Sequence, residues 1–178
     1  MKSLIIYGSQ YGSAQHYAAK FAQTTNIPIM NYKNVRSLAD YQLIIYFGAL
    51  YAGGVMGLKK TASSFPKNAK IFIVTVGIAD VNNIENTANI KGSLSKQVTP
   101  EILKNALIFH LRGALDYQKL NFKHKTMMTL LYHKLKKCPE EELSAEDKEL
   151  IASFNKKVDF IDYNSLKPIA EVLNFHIG

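Results

Sequence analysis

A doubly wound α/β fold, a parallel sheet with helices on both faces, follows from three features of the sequence. Short runs of consecutive apolar residues recur along the chain, and such runs suit strands covered on both faces. The runs alternate with segments of helical periodicity, the order expected of crossover units in a parallel sheet. The 178 residues, 47% hydrophobic and 20% charged, suffice for one domain with a full core. That composition excludes a disordered or low-complexity chain.

The elements follow in order. Leu4 to Tyr7 is the first strand, and Gln15 to Gln23 a helix with Tyr17, Ala18, Phe21 and Ala22 as its apolar residues. Ile27 to Met30 is a second short strand, and Leu43 to Phe47 the third and clearest. Lys70 to Val76 makes a fourth and Ala106 to Leu111 a fifth. The segment from Leu115 to Asp159 breaks this rhythm. It reads as a helical insertion around the last strand, because a further apolar run, Val158 to Ile161, precedes a final helix over Ser165 to Asn174. At ~100° per residue, Met127, Leu131, Leu135, Met128 and Tyr132 share one arc of the helical stretch Phe122 to Lys137, with Lys125 and Lys136 opposite. Ser144, with Asp147 three residues on, predicts the cap of a second inserted helix. A single domain over 1–178, without repeat or linker, is the expectation.

Charge narrows the function classes. Lys and Arg number 22 against 14 Asp and Glu, a net +8, which favours an anionic partner. Lys119, Lys123, Lys125, Lys134, Lys136 and Lys137 fall in one stretch without an acidic residue. That patch suits an anionic membrane surface or the propionates of a porphyrin; alternatively its lysines only face water. Nucleic acid is set aside, since neither aromatic interleaving nor a recognisable module is present. The lone Cys138 excludes an intramolecular disulfide and a Cys-rich metal or iron–sulfur site. His16, His110, His124, His133 and His176 are scattered, so no metal site is expected, and His124 and His133 read as part of a solvated basic face. No Ser/His/Asp order or paired-carboxylate site stands out. The opening apolar run is too brief for a signal peptide or a membrane span. A cytoplasmic setting is expected, with peripheral contact at the inner face of the membrane as its extension.

The turn after the first strand, Gly8-Ser9-Gln10-Tyr11-Gly12-Ser13-Ala14, is where chemistry is expected. Hydroxyls and free backbone N–H groups at a helix N-terminus form an anion site without a fixed cation. Gly12 permits close backbone approach or a positive φ. No Gly-Lys-Ser/Thr follows, which excludes a Walker loop, and no G-x-G-x-x-G is present, which leaves a dinucleotide fingerprint unsupported. A loop holding a phosphate monoester through neutral donors remains, with a plain polar turn as the alternative.

This stretch resembles the flavodoxin signature. Ile5, Ile6, Tyr7, Ser9, Gly12 and Ala18 fall on matching positions, and Ala14 stands where the pattern has Thr, removing one hydroxyl from an FMN phosphate cradle. The resemblance implies a flavodoxin-like five-stranded parallel sheet of order 2-1-3-4-5. It also implies one FMN beyond the carboxyl ends of the strands, at the switch point. The cofactor-binding positions so implied are Ser9, Gln10, Tyr11, Gly12, Ser13 and Ala14 around the phosphate. Ala49, Leu50, Tyr51, Ala52 and Gly53 would border the isoalloxazine, with Tyr51 able to stack on it, and Gly77, Ile78 and Ala79 would lie on its other side. The order Leu111 to Tyr117, basic insert, Asp159 to Tyr163 and final helix is similar to one flavodoxin-domain branch. That branch includes bacterial menaquinone-dependent protoporphyrinogen dehydrogenase. An FMN-dependent oxidoreductase with a redox partner or quinone acceptor is therefore implied. A non-enzymatic flavodoxin electron carrier is the first alternative, although carriers of that kind tend to be acidic. A flavin-free membrane- or partner-binding module is the second.

Overall fold

The computed structural model describes residues 1–51 and 53–177. In chain order the elements open with β1 (Ser3–Gly8), α1 (Ser13–Thr25), β2 (Ile29–Asn31), β3 (Leu43–Tyr51) and β4 (Gly54–Val55). Then come α2 (Leu58–Ala62), β5 (Lys70–Gly77), α3 (Ile84–Ser95), α4 (Pro100–Asn105) and β6 (Leu107–Arg112). The last third holds β7 (Ala114–Asp116), α5 (Phe122–Leu135), α6 (Ala145–Ser153), β8 (Lys157–Asp159) and α7 (Lys167–Ile177). The main sheet runs β2-β1-β3-β5-β6, every neighbouring pair parallel. Its five parallel strands thus follow the expected order 2-1-3-4-5. β4 was not foreseen; it pairs antiparallel with the end of β3, and a two-residue strand leaves no periodicity to read.

Side-chain alternation along the strands makes two cores. Ile5, Ile45, Phe47, Phe72, Val74 and Val76 face α1 and α7, meeting Tyr17, Phe21, Ile169 and Leu173. Leu4, Ile6, Ile44, Tyr46, Ile71 and Ile73 face the other way, against Leu58, Ile90 and Leu94 of α2 and α3. Because both faces are apolar, alternation alone does not fix the register of β3. Tyr46 does: its fully buried ring donates a hydrogen bond to the Met56 carbonyl, 2.6 Å away. A one-residue slip moves each side chain to the opposite face and strands that hydroxyl, at a cost of about 1–3 kcal/mol.

The inserted segment leaves and rejoins the domain through an antiparallel ladder. β7 pairs with β8, Leu115 opposite Val158, so the apolar run at Val158 builds a small second sheet and not the main one. Between these strands α6 carries the capping box expected at Ser144 and Asp147. The insertion has a modest core of its own: the Tyr132 ring stacks on Phe154 at 3.9 Å between centroids, and Tyr117 meets Phe154 edge-on at 5.4 Å. Among the described residues no helix is long and apolar enough to cross a membrane.

Two predictions follow the packing. A Cβ on Gly8 would overlap the Met56 carbonyl oxygen, whereas one on Gly92, exposed on α3, meets nothing within 4 Å. Gly8→Ala is expected to lower stability by about 1–3 kcal/mol. Gly92→Ala is expected to raise it by roughly 0.5–1 kcal/mol; equal effects in urea titrations would refute this packing. The second concerns His110, half-buried on β6, whose Nδ1 lies 2.7 Å from the Thr75 hydroxyl. Burial holds its pKa below the usual 6.5, so the folded chain disfavours the charged ring. Its contribution is complete above the unfolded pKa and is lost as pH falls through the depressed folded value. The urea midpoint should decline from about pH 7 to about pH 5, and less so in His110→Asn.

Candidate functional site

The carboxyl ends of β1, β3, β5 and β6 open on a cavity of about 360 Å³. Its near end is the β1–α1 turn. Gly12 stands at the N-cap of α1 with φ 100°, a conformation glycine accepts without strain. It offers no side-chain cap, and no acidic residue lies in the first turn. First-turn N–H groups have no acceptor within a helix, so the positive end of this 13-residue helix is uncompensated by its own side chains. The Gly12 N–H donates to Ser9 Oγ at 3.1 Å, which shapes the turn and leaves the Ser9 hydroxyl proton available to a ligand. The Ser13 hydroxyl is committed elsewhere: it accepts from the Ala114 N–H at 2.9 Å and donates to the Ala114 carbonyl at 3.2 Å.

The body of the cavity is an apolar slot. Leu50 and Tyr51 from the end of β3, Gly77 at the end of β5, and Ile78 and Ala79 just after it line the slot. Helix α5 closes it with Met127, Met128 and Leu131, and His124 stands at its edge. His124 is 7% exposed; its Nδ1 meets the Tyr11 hydroxyl and its Nε2 the Tyr51 hydroxyl. Asn121 caps the helix, its Oδ1 accepting from the His124 N–H at 2.8 Å. Burial pushes the Tyr11 phenol above its usual pKa; a backbone hydrogen bond at Asn121 opposes this, and the neighbouring Tyr51 adds to it. Tyr11 is therefore a neutral phenol at neutral pH. Among the described lining residues none carries a carboxylate, ammonium or guanidinium.

The Ile78 wall is held from outside. Arg112, last in β6, donates through Nε and Nη2 to the Ile78 carbonyl at 3.1 and 2.8 Å. Its Nη2 also lies 3.3 Å from Glu149 Oε1 on α6, and the Phe160 ring sits 3.7 Å from the guanidinium carbon. The other Glu149 oxygen accepts from the Asp80 N–H at 2.9 Å. One arginine thereby joins the sheet, the loop after β5 and the insertion.

Of the positions expected from sequence, Ser9, Gln10, Tyr11, Ser13, Ala49, Leu50, Tyr51, Gly53, Gly77, Ile78 and Ala79 line this cavity. Gly12 and Ala14 do not. The Ala14 methyl is fully enclosed in the core against Tyr17 and Phe21, so this residue offers the site its backbone N–H. Ala52 lies outside the described residues. The solvated-face reading of His124 is corrected by its burial between two tyrosines. A signal was present: Met127, Met128 and Leu131 follow His124 at i+3, i+4 and i+7, which places it on the apolar face. The covering role of α5 and the Arg112–Glu149 tie were also missed, since both join positions far apart in sequence.

The chain is similar to a flavoprotein solved in complex with FMN from Lactobacillus acidophilus NCFM, at 12% identity and a TM-score of 0.43, covering 62% of this chain and 91% of that one. It is also similar to Smu.1420 from Streptococcus mutans UA159, at 11% identity and a TM-score of 0.45, covering 72% of this chain and 94% of that one. No curated protein matches it. The family model described as Flavodoxin domain matches residues 4–142, nearly the whole span from β1 to the far end of α5, and the chain belongs to that family.

Proposed function

We propose that this protein is an FMN-dependent oxidoreductase acting on a small organic acceptor or donor, of the protoporphyrinogen dehydrogenase type with a quinone as electron acceptor. The observation that carries this reading is the cavity at the carboxyl edge of the sheet, open to an anion at one end and covered by an inserted helix at the other. The residues present fit FMN. The first-turn N–H groups of α1 and the Ser9 hydroxyl would hold the phosphate dianion. Leu50, Tyr51, Gly77, Ile78 and Ala79 would flank the ring system with uncharged surface. When bound, FMN supplies the one- and two-electron chemistry.

The cover favours an enzyme over a carrier. A carrier offers its cofactor edge to a protein surface, but here Met127, Met128 and Leu131 close over the slot. They give the slot an apolar cover on the side away from the sheet. Anionic groups on a substrate would find lysines only outside the cavity, on the exposed side of α5.

A specific observation also favours membrane contact. Phe122 is 86% exposed and Leu130 67%, on the same helix as the exposed Lys123 and Lys125 and three residues beyond Lys119. Apolar side chains among lysines suit the interface of an anionic bilayer.

Two measurements test these readings. Purified protein mixed with FMN and desalted should keep the visible flavin bands. Ser9→Val combined with Gly12→Val should weaken retention by about tenfold or more while the circular dichroism stays unchanged. Undiminished binding in that variant refutes the phosphate-loop assignment. For the membrane, vesicles containing anionic lipid should sediment the parent protein. Reversing Lys119, Lys123, Lys125 and Lys134 to Glu should abolish this, each charge being worth about 1 kcal/mol near the surface. A parent protein that stays in the supernatant rules the membrane out.

A further inference from the structure

We infer that Tyr11, His124 and Tyr51 form a proton conduit between solvent and the cavity, serving an acceptor that gains a proton as it is reduced; this rests on the FMN reading above. Three side chains from three separate elements make one unbroken chain: Tyr11 Oη to His124 Nδ1, and His124 Nε2 to Tyr51 Oη. All three line the cavity, with Tyr11 the most solvent-facing at 37% exposed, His124 buried and Tyr51 half-buried. Among the described lining residues His124 is the one imidazole. The titratable groups facing it are Tyr11 from the β1–α1 turn and Tyr51 from the end of β3, while Lys123 and Lys125 on its own helix are exposed.

The chemistry follows from the imidazole. A neutral ring carries one N–H and one lone pair. One phenol therefore donates to the ring and the ring donates to the other phenol. A proton entering at Nδ1 as another leaves at Nε2 exchanges the two tautomers and leaves the ring neutral. A side chain without two such ring nitrogens could not make that exchange. In the step served, the acceptor is a conjugated carbonyl compound of the quinone class. It gains a hydride, two electrons and one proton, from the reduced flavin, which is thereby oxidised. It gains its second proton from Tyr51 Oη. Tyr51 is restored from His124 Nε2, His124 at Nδ1 from Tyr11, and Tyr11 from water, so that one solvent proton is consumed for each acceptor reduced.

The test has two parts. In flavin-free protein with ¹⁵N-labelled histidine, the two ring nitrogens of His124 should show averaged shifts, the mark of exchanging tautomers. Tyr11→Phe and Tyr51→Phe should each lock the ring in one tautomer. In FMN-loaded, photoreduced protein mixed rapidly with a water-soluble benzoquinone, His124→Ala should slow flavin reoxidation by about 10²-fold or more with FMN retention unchanged. Added imidazole should restore the rate. Tyr51→Phe should be equally slow and refractory to imidazole, which a merely structural role for His124 does not produce. A fixed tautomer in the parent, or parent-like rates in both His124→Ala and Tyr51→Phe, overturns the conduit alone. A protein that holds no FMN overturns the reading beneath it and the conduit together.

Discussion

The backbone at Arg112, Gly113 and Ala114 has to leave the main sheet at the rim of the cavity, and its polar groups must find partners there or carry a desolvation cost. Each partner comes from a different part of the chain. Tyr17 on α1 donates to the Arg112 carbonyl at 2.8 Å and accepts from the Asp162 N–H at 2.9 Å. The Gly113 N–H donates to the Gly77 carbonyl at 2.6 Å, and the Gly113 carbonyl accepts from the Phe160 N–H at 3.1 Å. Ser13 takes both polar groups of Ala114. First helix, fifth strand and the return of the insertion thus depend on one another through three residues. The cavity inherits its floor from that junction.

Seen from the junction, the insertion is a cover whose position is set at its root. The β7–β8 ladder fixes where it leaves and returns, and Glu149 is pinned by Arg112 and by the Asp80 N–H. Such a half-exposed ion pair is worth little as stability. Its value is geometric, since the same guanidinium orients the Ile78 carbonyl and so the wall of the slot. Farther out, α5 meets the domain through His124, which joins Tyr11 and Tyr51, packs on α6, and leaves Phe122 and Leu130 exposed.

The fold was legible because its signal is local. Consecutive apolar residues at 4–7, 43–47 and 70–76 reported strands buried on both faces, and the structure extends each by a few residues without moving it. Ser144 and Asp147 reported a cap because the capping box lies within four residues. The site was legible where it follows strand ends, at Ser9 to Tyr11, Leu50 and Tyr51, and Gly77 to Ala79. It was not legible where the decisive contact spans the chain. Nothing near Ser13 announces that Ala114 will occupy its hydroxyl, 101 residues away. Nothing near His124 announces tyrosines 113 and 73 residues distant. The orientation of Ala14 was likewise not legible: its side chain is enclosed in the core, which no feature of the loop sequence announces.

Charge and chemistry occupy different places in this molecule. Six lysines without an acidic residue run from Lys119 to Lys137 on the exposed side of the insertion, while the described lining of the cavity carries no formal charge. Exposed lysines in water act at long range and are screened over about 8 Å at physiological salt. They therefore set the rate and orientation of encounter with an anionic partner more than the strength of the final complex. Inside the slot the reverse holds. With no fixed charge to satisfy, the slot discriminates by shape and apolar area, and the polar atoms at its α5 side, on Tyr11, Tyr51 and His124, are joined to one another. One helix of the insertion, α5, carries Lys123, Lys125 and Lys134 on its exposed side and presents Met128 and Leu131 to the slot.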